Sequence, residues 1–245
     1  MSVRARDVRI AGDVGGTFTD LVLMRDGTNQ IYTAKTRSTK DDLARGFLTG
    51  AQKLLHAAGC APEDVTNVLF TSTAATNAVL ELSGARVGLI VTKGFRHVLE
   101  IARANIPGRL TSELAYNRPE RLVPLERVRE VDERVLADGA VLRPLDEASA
   151  RAAIRELLAQ EVECIAVSLL HSYANPAHET RIRELVQDES PGMLVSLSSE
   201  VVPQYREYER TMTTVLNSYV MPVMEQAIQG LRTSLHEAGL DPALS

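Results

Sequence analysis

Tryptophan is absent from this 245-residue chain, and aromatic residues together make up only 4% of it. Proteins that hold single-stranded nucleic acid stack its bases on such rings, so that role has little to work with here. Nor is there a basic surplus to meet a phosphate backbone, because the formal net charge is -5; nucleic acid is not an expected partner. Cysteine is scarce too. Cys60 and Cys164 match no zinc or redox spacing and read as small core residues. No apolar run reaches the ~18 residues of a membrane span. The opening Met1-Ser2-Val3-Arg4-Ala5-Arg6 leads into a strand pattern, not the apolar core of a signal peptide. The expectation is a cytoplasmic protein without a membrane partner. The remaining balance, 44% hydrophobic and 24% charged, suits one large domain or two small ones.

The stretch with most chemistry in it is Ile10 to Leu23. An apolar run from Val8 to Val14 meets Gly15-Gly16, and a second run follows from Phe18 to Met24. Two such runs around glycines predict a β-hairpin. This one also carries Asp13, Thr17, Thr19 and Asp20. Glycines let backbone N–H groups approach a ligand and point one way, which suits a phosphate. A carboxylate beside them can hold Mg²⁺ through water, since that ion takes oxygen ligands and keeps several waters. The plainer alternative is an ordinary Gly-Gly hairpin with an edge aspartate.

Downstream, Gln30 to Arg37 predicts a third strand. Ser38 or Thr39 then caps a helix with Asp41 and Asp42 in its first turn. Leu43, Phe47, Ala51, Leu54, Leu55 and Ala58 share one face of that helix, and Gly59 ends it. The short strand 67–70 runs into Thr71-Ser72-Thr73, a hydroxyl-rich junction with the next helix. That junction reads equally as an anion contact or as a cap. Another strand covers 86–92. Residues 102–125, with Pro107, Pro119 and Pro124, read as a long loop in which Arg103, Asn105 and Arg109 are polar candidates. A second hairpin is expected from Val128–Val135 and 140–142 around Asp138-Gly139. Asp146 caps a helix over 147–160. The unbroken apolar run 164–170 predicts a buried strand ending at His171, weighed between structural and ligand roles. A helix over 177–189, a strand over 193–197 and a long helix from Arg206 complete the order. The polar run Thr211, Thr213, Thr214, Asn217, Ser218 and Tyr219 in that helix is expected to face a cleft or a second domain.

Antiparallel strands feeding parallel α/β units give an α/β fold of the ribonuclease-H-like, actin-like ATPase kind, with a mixed sheet flanked by helices. Order alone does not assign a function. The residues add to it. Asp13-Val14-Gly15-Gly16-Thr17-Phe18-Thr19-Asp20, Ala75 to Glu81, Gly84 to Ile90, Gly94-Phe95-Arg96, Leu99-Glu100-Ile101, His171 to Pro176 and Arg206-Glu207-Tyr208-Glu209-Arg210 together resemble the hydantoinase A / 5-oxoprolinase family over nearly the whole chain. The resemblance implies ATP-dependent hydrolysis of cyclic amides such as hydantoins or 5-oxoproline, with ATP and Mg²⁺ as cofactors. Related carboxylases use the same machinery on ketones. It also implies that 1–200 form the N-terminal actin-like domain and that 201–245 begin a second, hydantoinase A domain.

On this reading Asp13 and Asp20 are catalytic, with Asp13 also at the metal. Gly15, Gly16, Thr17, Thr19, Thr71, Ser72 and Thr73 contact phosphates. Transfer of a phosphoryl group to a lactam oxygen turns a poor electrophile into one that water can open, and such a transfer depends on positioning and charge neutralisation. Two departures stand out. Phe70-Thr71 occupies the place where the family has His-Gly. No second Asp-x-Gly-Gly follows residue 20, although the family carries another such turn and an adenosine region in its second half. The expected partners are therefore a cyclic amide or ketone and either that missing half or a hydantoinase B-type subunit. The chain is read as a portion of a longer protein or a split-gene subunit, holding half of a nucleotide cleft. A non-catalytic nucleotide-binding module and a sugar- or acyl-kinase-like enzyme of the same superfamily are the alternatives.

Overall fold

The computed structural model describes residues 8–28, 30–39, 43–103, 121–240 and 243–244. The elements run β1 (Val8–Val14), β2 (Phe18–Arg25), β3 (Ile31–Arg37), α1 (Leu43–Ala58), β4 (Val65–Ser72), α2 (Ala74–Leu80), β5 (Val87–Thr92), α3 (Val98–Ile101), β6 (Val128–Val131), β7 (Arg134–Val135), β8 (Val141–Arg143), α4 (Glu147–Leu158), β9 (Cys164–Ser168), α5 (Ala177–Glu189), β10 (Leu194–Leu197), α6 (Ser198–Val201), α7 (Glu207–Glu237) and β11 (Ala243–Leu244). They form two compact units, residues 1–83 with 223–245, and residues 84–222. Helix α7 contributes residues 207–222 to the second unit and 223–237 to the first.

In the first unit five strands lie in the order β11-β4-β1-β2-β3. The expected hairpin is present. β1 and β2 pair antiparallel with Asp13 opposite Asp20, and β3 extends the meander. β4 joins β1 in parallel, with Thr71 opposite Asp13. Alternation along β1 sends Val8, Ile10 and Val14 into the core with Leu21 and Leu23 of β2. Helix α1 covers that face through Phe47, Ala51, Leu54 and Leu55, and Gly59 ends it at φ +62°. The approach is close. A Cβ on Gly12 would lie 2.5 Å from the Phe47 ring, and one on Gly50 would lie 2.2 Å from Leu21. The helix start assigned to Asp41 and Asp42 lies outside the described residues.

The second unit has a four-stranded parallel sheet in the order β10-β9-β5-β6. β5 and β9 are central and buried along their whole length, which accounts for their unbroken apolar runs. Ile154 and Leu157 of α4 and Ile182, Leu185 and Val186 of α5 fill the core on this sheet. Asp146 caps α4 as expected, its carboxylate accepting from the Ala148 N–H at 3.2 Å.

The second hairpin is smaller than predicted. β6 pairs in parallel with β5, and only β7 pairs with β8. The chain changes partner at Asp132-Glu133. Asp132 accepts from Lys93 and Arg143, while buried Glu133 accepts from Thr92 and meets His178 Nδ1 at 2.8 Å. A two-residue alternation is the same in both pairings, so it could not separate them. The polar run in α7 also differs from expectation. Thr211, Thr214 and Ser218 are buried within this unit. Thr211 bonds Ser168 at 2.7 Å, and Asn217 donates to Ser196 at 2.9 Å.

Candidate phosphate-binding site on the first hairpin

The sheet register builds the site. Asp13, next to last in β1, lies on the face away from α1 and is exposed. Thr71, its neighbour on β4, donates its hydroxyl to Asp13 Oδ1 at 2.8 Å. The turn then closes with the Gly15 N–H donating to Phe18 O at 3.1 Å. Ser38 N donates to Thr17 O at 3.0 Å and Thr73 N to Val14 O at 3.4 Å, which ties the turn to β3's end and to β4's end. Neither Gly15 nor Gly16 has a positive φ, so backbone conformation does not demand glycine here. Space does, unequally. A Cβ on Gly15 would come 3.1 Å from Phe18 O, whereas one on Gly16 would meet only Asn77 Nδ2 at an ordinary 3.5 Å.

Not every predicted residue joins them. Thr19 is fully buried and shares a 2.9 Å hydrogen bond with Ser38 Oγ. Strand alternation turns it to the core side while Asp20 faces out. Asp20 is held by Lys35 Nζ at 2.9 and 3.0 Å. Ser72 Oγ accepts from Ala74 N at 3.1 Å in a short side-chain turn that leads into α2. That helix has seven residues. Thr73 Oγ1 accepts from Asn77 Nδ2 at 3.4 Å. Asp13, Asp20, Lys35 and Thr71 line a cleft of about 530 Å³ on the outer sheet face, with Ala11, Val22 and Leu69 as its apolar floor. Lys35 carried no signal of its own, and Asn77 entered only as part of the Ala75 to Glu81 block. Lys35 is one charge in an alternating strand, and Asn77 is one amide in a short helix.

The donor set is one exposed carboxylate beside hydroxyls and backbone N–H groups. That fits Mg²⁺ held by a carboxylate, waters and phosphate oxygens, and not an all-protein cage. Among the described residues no group of three or more His, Cys, Asp or Glu could hold a metal. No helix among them is long and apolar enough to cross a membrane. Of the other sequence candidates, Arg103 is ion-paired with Glu209, and Asn105 and Arg109 lie outside the described residues.

Comparison with known proteins adds the family context. The model of the hydantoinase/oxoprolinase N-terminal region matches residues 9–190. Caprolactamase subunit alpha of Pseudomonas jessenii is 34% identical over 235 residues, covering 94% of this chain and 34% of the relative. The acetophenone carboxylase gamma subunit of Aromatoleum aromaticum is 36% identical over 242 residues, covering 93% and 33%. The crystal structure of the ATP-dependent caprolactamase from Pseudomonas jessenii superposes with a TM-score of 0.85 at 33% identity, over 96% of this chain and 35% of that one. The chain thus spans about a third of the length of the curated relatives it matches. The mixed sheets with flanking helices agree with the actin-like fold expected from the order of elements.

Proposed function

We propose that this chain, which belongs to the hydantoinase/oxoprolinase family over its N-terminal region, supplies the first phosphate-binding wall of an ATP-dependent enzyme that activates and hydrolyses a cyclic amide. The observation that carries the proposal is the Asp13 carboxylate, oriented by Thr71 at the mouth of the Gly15-Gly16 turn. ATP with Mg²⁺ would supply a transferable phosphoryl group and neutralise its charge. The N–H groups of Gly16 and Thr17 would hold terminal phosphate oxygens, with Thr73 beside them at the same mouth. Asp13 would hold Mg²⁺ through water, and the Thr71 hydroxyl orients the Asp13 carboxylate. Asp20, balanced by Lys35 across the outer sheet face, keeps the net charge of that face low next to an anionic ligand.

The companion elements are the remaining length that the relatives carry or a hydantoinase B-type partner subunit. A second reading is a subunit of an ATP-dependent ketone carboxylase. The 36% identity to the acetophenone carboxylase gamma subunit favours it enough to be tested beside the first.

The test is phosphate release by the chain expressed with the downstream sequence and neighbouring subunits of its own operon or gene. Release stimulated by a lactam supports the hydrolase. Release stimulated only by a ketone with bicarbonate supports the carboxylase. Release indifferent to both overturns the two readings together.

A further inference from the structure

Among the described residues five non-glycine residues have a positive φ. Three of them, Ala102 at 50°, His171 at 56° and Arg206 at 79°, line one pocket of about 310 Å³ in the second unit. Ala102, with ψ at −128°, lies outside the three regions that residues with a side chain ordinarily occupy. Such conformations cost stability and persist only where the surroundings over-determine them, which happens most at functional sites. At His171 the determining groups are buried side chains on both sides of it. Leu169 N donates to Glu179 Oε1 and Leu170 N to Thr92 Oγ1, each at 2.9 Å, while Ser172 Oγ shares a 3.0 Å hydrogen bond with Ser198 Oγ. Ala174 N and Asn175 N then both donate to His171 O and close the turn.

The imidazole is held as well. Its Nδ1 lies 3.4 Å from Tyr173 Oη, and the two rings meet edge to face with centroids 5.9 Å apart. The buried Arg210 guanidinium in turn lies 5.4 Å from the Tyr173 centroid. When Nδ1 donates to Tyr173, Nε2 keeps its lone pair, and among the described residues nothing bonds it. His171 is half-buried and follows β9, a parallel strand, at the end where α/β sheets place ligands. We propose that His171 Nε2 is the proton acceptor for a carbonyl substrate held in this pocket, with Tyr173 as its positioning residue. The choice of His171 rests on the pocket, and the choice of proton rests on the cyclic-amide reading. On that reading Nε2 takes one proton of a water as the water oxygen bonds the amide carbon. The same proton passes to the ring nitrogen as the C–N bond breaks and its electron pair stays on nitrogen. The water's hydroxyl thus ends on carbon and its hydrogen on nitrogen.

The test uses the chain expressed with its downstream sequence and neighbouring subunits. His171→Gly suits the backbone, because glycine adopts a positive φ freely, and it leaves space for an added imidazole. Lactam opening should fall about a hundredfold or more, with the melting temperature within a few degrees of wild type. Added imidazole should restore turnover in part, and more basic imidazoles should restore more per neutral molecule. A histidine that only shapes the turn would show neither effect. Tyr173→Phe should lower kcat and leave KM unchanged. Should His171→Gly fail to fold, His171→Asn replaces it, since asparagine tolerates this conformation, and it should lose turnover likewise. Normal turnover by either His171 variant, or a loss in the glycine variant that no imidazole restores, overturns the inference and leaves the cyclic-amide reading standing. If the wild type turns over only a ketone with bicarbonate and imidazole rescues that reaction, the cyclic-amide reading fails while His171 stands as the base, taking its proton from the carbon beside the carbonyl. A wild type that turns over neither substrate overturns both.

Discussion

The Thr71 hydroxyl reaches Asp13 Oδ1 at 2.8 Å across the parallel pair of β1 and β4. If Asp13 organises Mg²⁺, Thr71 is the group that fixes its orientation, and loss of such a supporting partner typically weakens a metal by about 10–100-fold. Thr71→Val should therefore raise the Mg²⁺ concentration needed for half-maximal ATP turnover by about that factor, leaving the melting temperature within a few degrees. Asp13→Asn keeps the shape and can still accept from Thr71, yet removes the charge, and should reduce turnover further than Thr71→Val. Both are measured by Mg²⁺ titration of phosphate release in the complete enzyme. A drop in melting temperature with normal turnover would assign Asp13 a structural role.

Gly12 and Gly16 should separate packing from binding. A Cβ on Gly12 enters the Phe47 ring at 2.5 Å, and overpacking of this kind costs about 1–3 kcal/mol. Gly12→Ala should lower the unfolding free energy by that amount, and Phe47→Leu in the same chain should recover part of it through coupling at a shared contact. Gly16→Ala meets only an ordinary 3.5 Å contact and no positive φ. It should leave urea denaturation nearly unchanged while abolishing nucleotide turnover in the complete enzyme. Equal loss of stability in the two variants would remove the phosphate role of the turn.

How much of this was legible beforehand depends on the range of each signal. The hairpin, the end of α1 at Gly59 and the Asp146 cap rest on neighbours within a few residues, and all three are as expected. Partner choice is a long-range property. Nothing local says that Val128–Val131 joins β5 in parallel. His178 meets Glu133 across 45 residues of sequence, and neither carries a motif. Arg210 sits in a run of five charged or phenolic residues, yet it is buried, and Leu169 O and Gln204 O receive its N–H groups. Thr19 is buried for a local reason. It alternates with Asp20, so the two cannot face the same side.

The end of α5 carries a pH dependence. The hydrogen bonds of Arg155 first, then Arg151, hold the Glu189 carboxyl down at about 2, against an ordinary 4.5. A carboxylate with a depressed folded-state pKa contributes stability that is present above its unfolded value and disappears as pH falls through the folded value. The window is therefore pH 4.5 down to about 2. Glu189→Gln should lower the melting temperature at pH 7 and flatten its fall across that window. The slope should not vanish, since Glu147, bonded by Arg181, is depressed in the same direction. Melting curves from pH 2 to 7 check it. Parallel curves for the two proteins would show that the Arg151–Arg155–Glu189 cluster is idle in stability.

The last expectation concerns the 245-residue chain on its own with Mg-ATP. Asp13, Gly16, Thr17 and Thr73 are all exposed, so phosphate oxygens held there remain in contact with water. Attraction between unit charges ~4 Å apart falls from roughly 4 kcal/mol at an intermediate dielectric to about 1 kcal/mol in water. Enzymes of this class of chemistry gain from closure, which excludes water and completes the set of contacts. A single open wall should then bind with about 4 kcal/mol, on the order of millimolar, and release phosphate no faster than buffer. Isothermal titration gives the first quantity and a phosphate-release assay the second. Adding the companion sequence should restore both, and Asp13→Asn should remove the restored activity. Micromolar binding or sustained turnover by the isolated chain would show that the hairpin does not depend on a second wall.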